Sequence, residues 1–189
     1  MACPPLWGRV GWGQMKREQT SVWIEGIERH LEDLRYNAYE GASGAARQKL
    51  YVAACDLLAP VATEVLQQLN ASLLRGTGEV SGQVPGPDGD GGFIASWLLT
   101  WPALSSSKSR PTGEPLRPVT ISAVFPTGFT HPHLVGGGPV NPRAASLTAW
   151  PMQIKSTDDA EQQRPVLWAI AIAEVHDRIY QSSWRVVPQ

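Results

Sequence analysis

The chain has 189 residues, which is enough for one well-buried core and short for two. Its hydrophobic share of 42%, charged share of 17% and mean hydropathy of -0.19 exclude a disordered or fibrous protein and are typical of a soluble globular one. Because 16 Lys and Arg residues nearly balance 17 Asp and Glu residues, no overall electrostatic field favours binding to nucleic acid or to an anionic membrane.

The cysteines and the N-terminus indicate a cytoplasmic protein. Cys3 lies in a proline-containing tail and Cys55 lies in an apolar helical pattern, so we do not expect a disulfide framework. The N-terminus lacks the basic flank and apolar stretch of a secretion signal. We also expect no segment with the roughly 20 apolar residues that span a bilayer.

The first part of the chain is predicted to form an arm and two helices. Residues 1–14 show no apolar period and are predicted to be irregular, so a single α+β domain is placed at 15–189. Apolar residues recur at helical spacing over 20–40 and again over 43–75. Pro60 lies inside the second pattern, where it removes a backbone donor, and we expect a kink or a split there.

An antiparallel sheet is predicted between residues 79 and 154. Residues 76–92 are rich in glycine and proline, and we expect a loop there. Residues 93–101 and Val119–Phe125 are rich in branched and aromatic side chains, which predicts the two strands of a long antiparallel hairpin packed on the helices. A short strand is expected at 150–154.

A C-terminal helix is predicted over 158–181. Asp158, with a glutamate three residues later, suggests a capping box, and Pro165 suits the first turn of the main helix. Glu174 and Arg178 are four residues apart and are predicted to pair on the face opposite the apolar one. That apolar face is expected to comprise Trp168, Ala171, Ile172, Val175 and Ile179.

The turn after the central strand carries the most chemistry. Alternate residues of an extended chain project to the same side, so His131 and His133 can offer two imidazoles to one divalent metal such as zinc. The third ligand would come from the last helix, where His176 is available together with Glu174 and Asp177. The alternative is that both histidines hydrogen-bond a proline-rich turn.

We predict that the same turn is a binding surface. Sites concentrate in loops that rigid strands hold in place, and consecutive glycines let another backbone approach closely. The predicted binding residues are Phe129, His131, His133, Gly136, Gly137 and Gly138.

Several kinds of site are disfavoured by the motifs. The glycines at 136–138 precede a proline rather than Lys-Ser or Lys-Thr, so a phosphate loop is not expected. No G-x-S-x-G elbow is present, and Cys55 has no histidine or acid in local register, so we expect a buried, unreactive thiol. Asp88 and Asp90 resemble the start of a calcium loop, but its later ligands are missing.

The turn after the central strand has the sequence Phe-Pro-Thr-Gly-Phe-Thr-His-Pro-His-Leu at residues 125–134. This segment resembles the Phe-Pro-x-x-Tyr-Pro-x-x-Pro-Pro turn that follows the third strand in ubiquitin-conjugating enzymes and related RWD domains, and the predicted order of helices and strands is also similar. The chain departs from that family where the thioester nucleophile belongs, because no cysteine follows the turn. The resemblance therefore implies a non-catalytic binding role, as in variants that lack the cysteine.

Two functions follow as hypotheses. The first is a non-catalytic protein-interaction or assembly subunit of a larger complex, without a cofactor, because the chain lacks a nucleophile motif and a cofactor fingerprint and carries eight tryptophans, a residue suited to cores and interfaces. The alternative is a metal-dependent or general acid/base enzyme that uses His131 and His133. A small-molecule ligand is left open.

Overall fold

The computed structural model of the protein describes residues 24, 25, 27, 28, 30–32, 35, 44–127, 131–136 and 149–188. These residues form an antiparallel sheet packed against helices, which confirms the predicted α+β fold. The described residues between 24 and 35 are helical, as the sequence pattern predicts. The predicted arm at residues 1–14 lies outside the described residues.

The strands lie side by side in the sheet in the order in which they occur in the chain. They are β1 Glu79–Pro87, β2 Phe93–Thr100, β3 Val119–Phe125, β4 His133–Gly136 and β5 Ala149–Pro151. Each pairs antiparallel with the next, so every connection joins neighbouring strands. After residue 43, the helices are α1 Gly44–Leu73, α2 Pro102–Ser105, α3 Thr157–Gln162 and α4 Arg164–Gln181, and a short 3-10 turn follows at Trp184–Val186.

The hairpin of β2 and β3 is the centre of the sheet, as predicted. Successive side chains of a strand point to opposite faces, and one face of this hairpin is fully apolar and buried. The helices α1 and α4 cover that face, with α1 lying on β1 and β2 and α4 on β3 and β4. The buried apolar residues of the two central strands are Ala95, Trp97, Leu99, Val119, Ile121, Ala123 and Phe125.

Helix α1 continues through Pro60, so the expected split is not seen. Pro60 is exposed, and a missing backbone donor is tolerated best on the solvent side of a helix, where hydrogen bonds are already longer. Contrary to expectation, 29 residues of this helix, Ala45–Leu73, are long and apolar enough to cross a membrane, although 44% of the most apolar stretch is buried inside the fold. The core helix of a soluble protein has the same properties, and α1 occupies that position here.

The prediction of a loop at 76–92 is wrong for most of its length, because residues 79–87 form β1 at the edge of the sheet. The register with β2 shifts between Gln83 and Gly86, which marks a bulge. Pro85 and Pro87 are compatible with an edge strand, whose outer side has no ladder to complete. Because proline is rare inside strands, these two residues led to the prediction of a loop.

The turn between β1 and β2 is built around Asp88. Its Oδ1 atom accepts hydrogen bonds from the backbone N–H groups of Asp90 and Gly92, both at 2.8 Å. This is the usual role of an aspartate in a tight turn. The aspartates that resemble a calcium loop thus lie in a turn that Asp88 stabilises.

The predicted C-terminal helix is two helices, α3 and α4, separated by Gln163. The N-cap of α3 is Ser156 rather than Asp158, since the Ser156 Oγ accepts a hydrogen bond from the Asp159 N–H at 3.2 Å. Pro165 lies in the first turn of α4, as predicted.

The predicted faces of α4 need correction. Ile172 was expected in the core but is exposed, whereas Glu174 and Arg178 are only 4% and 1% exposed. The two charged residues do pair, at 2.8 Å, but they do so inside the protein. A sequence pattern of period 3.6 identifies a helical face but not the chemistry that the rest of the fold offers to it.

Candidate functional site

The two histidines of the predicted site lie against the N-terminal helical residues. His131 is 1% exposed, and His133 is half-buried in β4, so it belongs to a strand rather than to the expected loop. The ring of His30 meets the ring of His131 edge-on, with centroids 4.4 Å apart, and its centroid is 6.2 Å from that of His133. The predicted site did not include His30, because this residue lies about 100 positions earlier in the chain.

The environment of His133 favours its neutral ring. Burial lowers the pKa of His133, and the nearby His30 lowers it further, while a backbone hydrogen bond at His131 acts in the opposite direction. The folded protein therefore binds this proton more weakly than the unfolded chain does. The corresponding stability is present above the unfolded pKa of about 6.5 and is lost as the pH falls below it.

The predicted metal ligands are not gathered into a three-residue site in the part of the chain that is described. His176 lies exposed on α4, and Glu174 and Asp177 are hydrogen-bonded to Arg178. Over the described ranges, no group of three or more His, Cys, Asp or Glu side chains is arranged to hold a metal ion. Metal binding by the histidines stays a prediction.

Of the three glycines in the predicted binding surface, the structure describes Gly136. A Cβ atom at this position would lie 2.8 Å from the Cγ2 atom of Ile170 on α4. Gly136 therefore allows β4 to pack closely on α4, which is a structural reason for the glycine. Phe129, Gly137 and Gly138 lie outside the described residues.

Replacing Gly136 by alanine should lower the free energy of unfolding by about 1–3 kcal/mol, because the stiff, branched side chain of Ile170 has to move. Urea denaturation measures the loss. In an Ile170→Ala background the same replacement should cost almost nothing, since the obstructing atoms are gone. Equal costs in both backgrounds would contradict the packing role of Gly136.

Cys55 is buried in the core, as predicted. Burial raises the pKa of its thiol to about 12, so the reactive thiolate is strongly disfavoured at neutral pH. The neighbouring Tyr51 is also fully buried and donates its hydroxyl hydrogen to the carbonyl of Ala123 at 2.8 Å. These groups connect α1 to β3 and have the environment of a structural core.

A buried ionic network attaches α4 to the segment that leads into β3. The Arg178 guanidinium donates to the carboxylates of Glu174 at 2.8 Å and Asp177 at 2.6 Å. It also donates to the carbonyls of Arg117 at 2.8 Å and Pro118 at 3.1 Å. A charge that is 1% exposed is tolerated only with such partners, so Arg178 fixes the position of α4.

Glu174 is the second member of this network that is nearly inaccessible. Burial raises the pKa of its carboxyl group, although the Arg178 guanidinium and the backbone N–H of Thr120, which donates at 3.3 Å, both lower it. A cavity of about 60 Å³ adjoins the network and is lined in part by Arg178, Arg117 and Glu114.

The side of α4 that faces away from the sheet exposes large side chains, two of them apolar or aromatic. Ile172, His176 and Tyr180 are spaced four residues apart and are all exposed; we name this stripe the α4 outer face. Tyr180 is 80% exposed, and Trp184, just beyond the helix, is 58% exposed. Side chains of this size usually lose most of their exposed area in the folded protein or in a complex.

A shallow depression of about 490 Å³ lies beside the end of α4. We name it the C-terminal depression, and its lining residues are Arg110, Ser183, Trp184 and Arg185. The Arg185 guanidinium lies over the Trp184 ring, 5.6 Å from the centroid. This is the arrangement of a cation–π contact.

The turn that carries Trp184 is anchored in the core. Val186 is buried, and its carbonyl accepts a hydrogen bond of 2.6 Å from the Trp101 indole N–H. Sequence reasoning missed this surface because it assigned Ile172 to the core. The signal that could have found it is an aromatic residue in the last turn of the helix followed by a Trp-Arg pair.

No protein-family model matches this chain, and comparisons with curated proteins and with solved structures give no match either. The resemblance of residues 125–134 to the turn of ubiquitin-conjugating enzymes stays a prediction. The function of the chain has to be inferred from its own surface and chemistry.

Proposed function

We propose that the protein is a non-catalytic interaction subunit of a larger cytoplasmic complex and that it binds a protein partner through the α4 outer face and Trp184. The observation that carries this proposal is the exposure of Tyr180 and Trp184 at one end of α4. Tryptophan, tyrosine and arginine are the residues that most often dominate the binding energy of protein interfaces.

The rigid support of this surface favours the same function. Arg178 ties α4 to the backbone before β3, and Trp101 ties the following turn to the end of β2. A surface held in one conformation loses little entropy when a partner binds, which increases affinity. The two anchors thus present exposed aromatic side chains on a backbone that is already ordered.

The edge of the sheet is a less suitable interface. At the β1 edge, the bulge after Gln83 and the prolines at 85 and 87 interrupt the outer hydrogen-bonding row that an incoming strand would need. At the other edge, β5 has only three residues and ends at Pro151. The N-terminal helical residues offer another exposed apolar stripe, formed by Ile24, Ile27 and Leu31. The experiment below compares this stripe with the α4 outer face directly.

The alternative of an enzyme that uses His131 and His133 has less support. A general base must come within hydrogen-bonding distance of its substrate, and His131, which is 1% exposed and packed on His30, does not offer that access. Stoichiometric zinc, iron or manganese in protein purified without an affinity tag would reverse this preference.

Photo-crosslinking tests the proposed interface. A benzophenone amino acid replaces Tyr180 in one variant, Ile27 in a second, and the exposed polar residue Ser72 of α1 in a control. In extract of the source cells, we expect a discrete heavier adduct from position 180 and none from position 72. Excess untagged wild-type protein should abolish the adduct, whereas Trp184→Ala protein should compete at least tenfold more weakly.

Two results would contradict the proposal. If position 180 gives no adduct that wild-type protein displaces, the α4 outer face is not an interface. If only position 27 gives such an adduct, the partner binds the N-terminal helical residues instead.

A further inference from the structure

We infer that the C-terminal depression binds an acidic segment of the partner protein, with Arg110 and Arg185 pairing with its carboxylates and Trp184 covering an adjacent apolar side chain. This inference rests on the proposed function and names the chemistry of the partner. Neither guanidinium forms an ion pair with a described acidic side chain, the indole ring lies beside Arg185, and hydrogen bonds hold the backbone of the depression in place.

Arg110 and Arg185 differ from two described arginines that form ion pairs, Arg164 and Arg178. Arg164 bonds the carboxylates of Glu64 and Glu161, and Arg178 bonds those of Glu174 and Asp177. In contrast, no acidic side chain within the described residues forms an ion pair with Arg110 or Arg185. A guanidinium presents a planar fork of donors that suits a carboxylate, so these two groups are free to take carboxylates from outside.

The indole of Trp184 adds a second requirement. Its contact with Arg185 holds the guanidinium over one side of the ring, and the side chain is still 58% exposed. A ligand that satisfies both groups needs a negative charge next to an apolar side chain. Acidic peptide segments that contain a leucine or an aromatic residue meet this requirement.

The depression is already ordered without a ligand. The backbone N–H of Arg110 donates to the Gln181 carbonyl at 2.8 Å, which fixes the Arg110 segment to the end of α4. The Ser183 Oγ accepts from the Arg185 N–H at 3.3 Å, so the 3-10 turn is capped. Binding therefore has to order side chains and the ligand but not the backbone beneath them.

The amount of positive charge favours a peptide over a nucleic acid. Proteins that bind DNA specifically commonly neutralise about 6–10 phosphates, whereas this depression supplies two guanidinium groups. A short acidic peptide can place its charges on the arginines alone.

Peptide display tests the inference without knowledge of the partner. The full chain is immobilised and presented with a library of random twelve-residue peptides. We expect enriched peptides to carry net negative charge with at least one large apolar residue. A labelled peptide of the consensus sequence is then titrated and followed by fluorescence anisotropy at about 150 mM salt, where long-range electrostatics are already screened.

Charge reversal identifies the site on the protein. The Arg110→Glu, Arg185→Glu variant should bind the peptide at least tenfold more weakly, and so should Trp184→Ala. The matched control is Lys49→Glu, Lys155→Glu, which changes the net charge equally at two exposed lysines elsewhere and should bind like wild type. Circular dichroism checks that each variant folds; if the charge reversal unfolds the protein, Arg110→Gln, Arg185→Gln replaces it.

Enriched peptides without negative charge, or equal binding by the wild-type protein and the charge-reversed variant, would overturn the inference. It would also be overturned if a labelled RNA or DNA oligonucleotide bound the depression more tightly than the peptide. These results are distinguishable from failure of the proposed function. If these results occur together with a displaceable adduct at position 180, only the acidic partner is refuted and the interface stands. If they occur without that adduct, both proposals are refuted.

Discussion

Replacement of Arg178 by methionine should lower the free energy of unfolding by about 3–5 kcal/mol, because it leaves the Glu174 carboxylate buried without its cation. The carbonyls of Arg117 and Pro118 lose their donor in the same variant. Urea denaturation at pH 7 measures the difference. We expect the largest loss among single replacements of charged residues here, since Arg178 is buried and its guanidinium donates four hydrogen bonds.

Arg164→Met is the matched control for this experiment. Arg164 forms ion pairs with Glu64 and Glu161 at the surface, where water screens the charges, so its loss should cost about 1 kcal/mol or less. Equal losses in the two variants would show that the buried network does not stabilise α4 more than a surface pair does.

The pH dependence of the Arg178→Met variant provides an independent check. Burial raises the pKa of Glu174 in the folded protein, and removal of the guanidinium takes away an interaction that lowers it. The cost of ionising this carboxyl group is therefore absent below its unfolded pKa of about 4.3 and grows as the pH rises through the folded pKa. The stability difference from wild type should shrink as the pH is lowered from 7 to about 4. A difference that is constant over this range would contradict the role of Glu174.

Replacement of Trp101 by alanine should cost about 3–5 kcal/mol, the usual range for removal of a buried tryptophan. The Val186 carbonyl also loses the indole N–H that it accepts at 2.6 Å. We expect the variant to bind an acidic peptide more weakly as well, because the turn that carries Trp184 loses its anchor. Thermal denaturation and peptide titration measure the two effects.

Trp184→Ala is the control with the same change of side chain. Because Trp184 is largely exposed, its removal should change the free energy of unfolding by no more than about 0.5 kcal/mol while weakening peptide binding. Together the two variants separate the tryptophan that supports the surface from the one that forms it. A large stability loss in Trp184→Ala would show that this ring is part of the core.

The sequence alone determined the elements whose pattern is local and repeated. The central strands β2 and β3 are rich in branched and aromatic residues, and the apolar residues of α1 recur at helical spacing, so all three elements are predictable without knowledge of any partner element. The burial of Cys55 follows from its place in that helical pattern. The α+β fold class is the sum of these local signals.

Which of the remaining residues are buried depends on contacts between segments that are distant in the chain. Strand β1 has too much glycine and proline to be predicted, and it forms because β2 offers a complete hydrogen-bonding edge. Arg178 lies in the core because the carbonyls before β3 and two carboxylates of its own helix satisfy it, an arrangement that no spacing along the chain reveals. Likewise, the His30 ring contacts the His131 ring only in the folded chain. Arg110 and Trp184 also line the same depression only after folding. Contacts between distant segments depend on the mutual orientation of packed elements, and a single sequence does not encode that orientation in any local pattern.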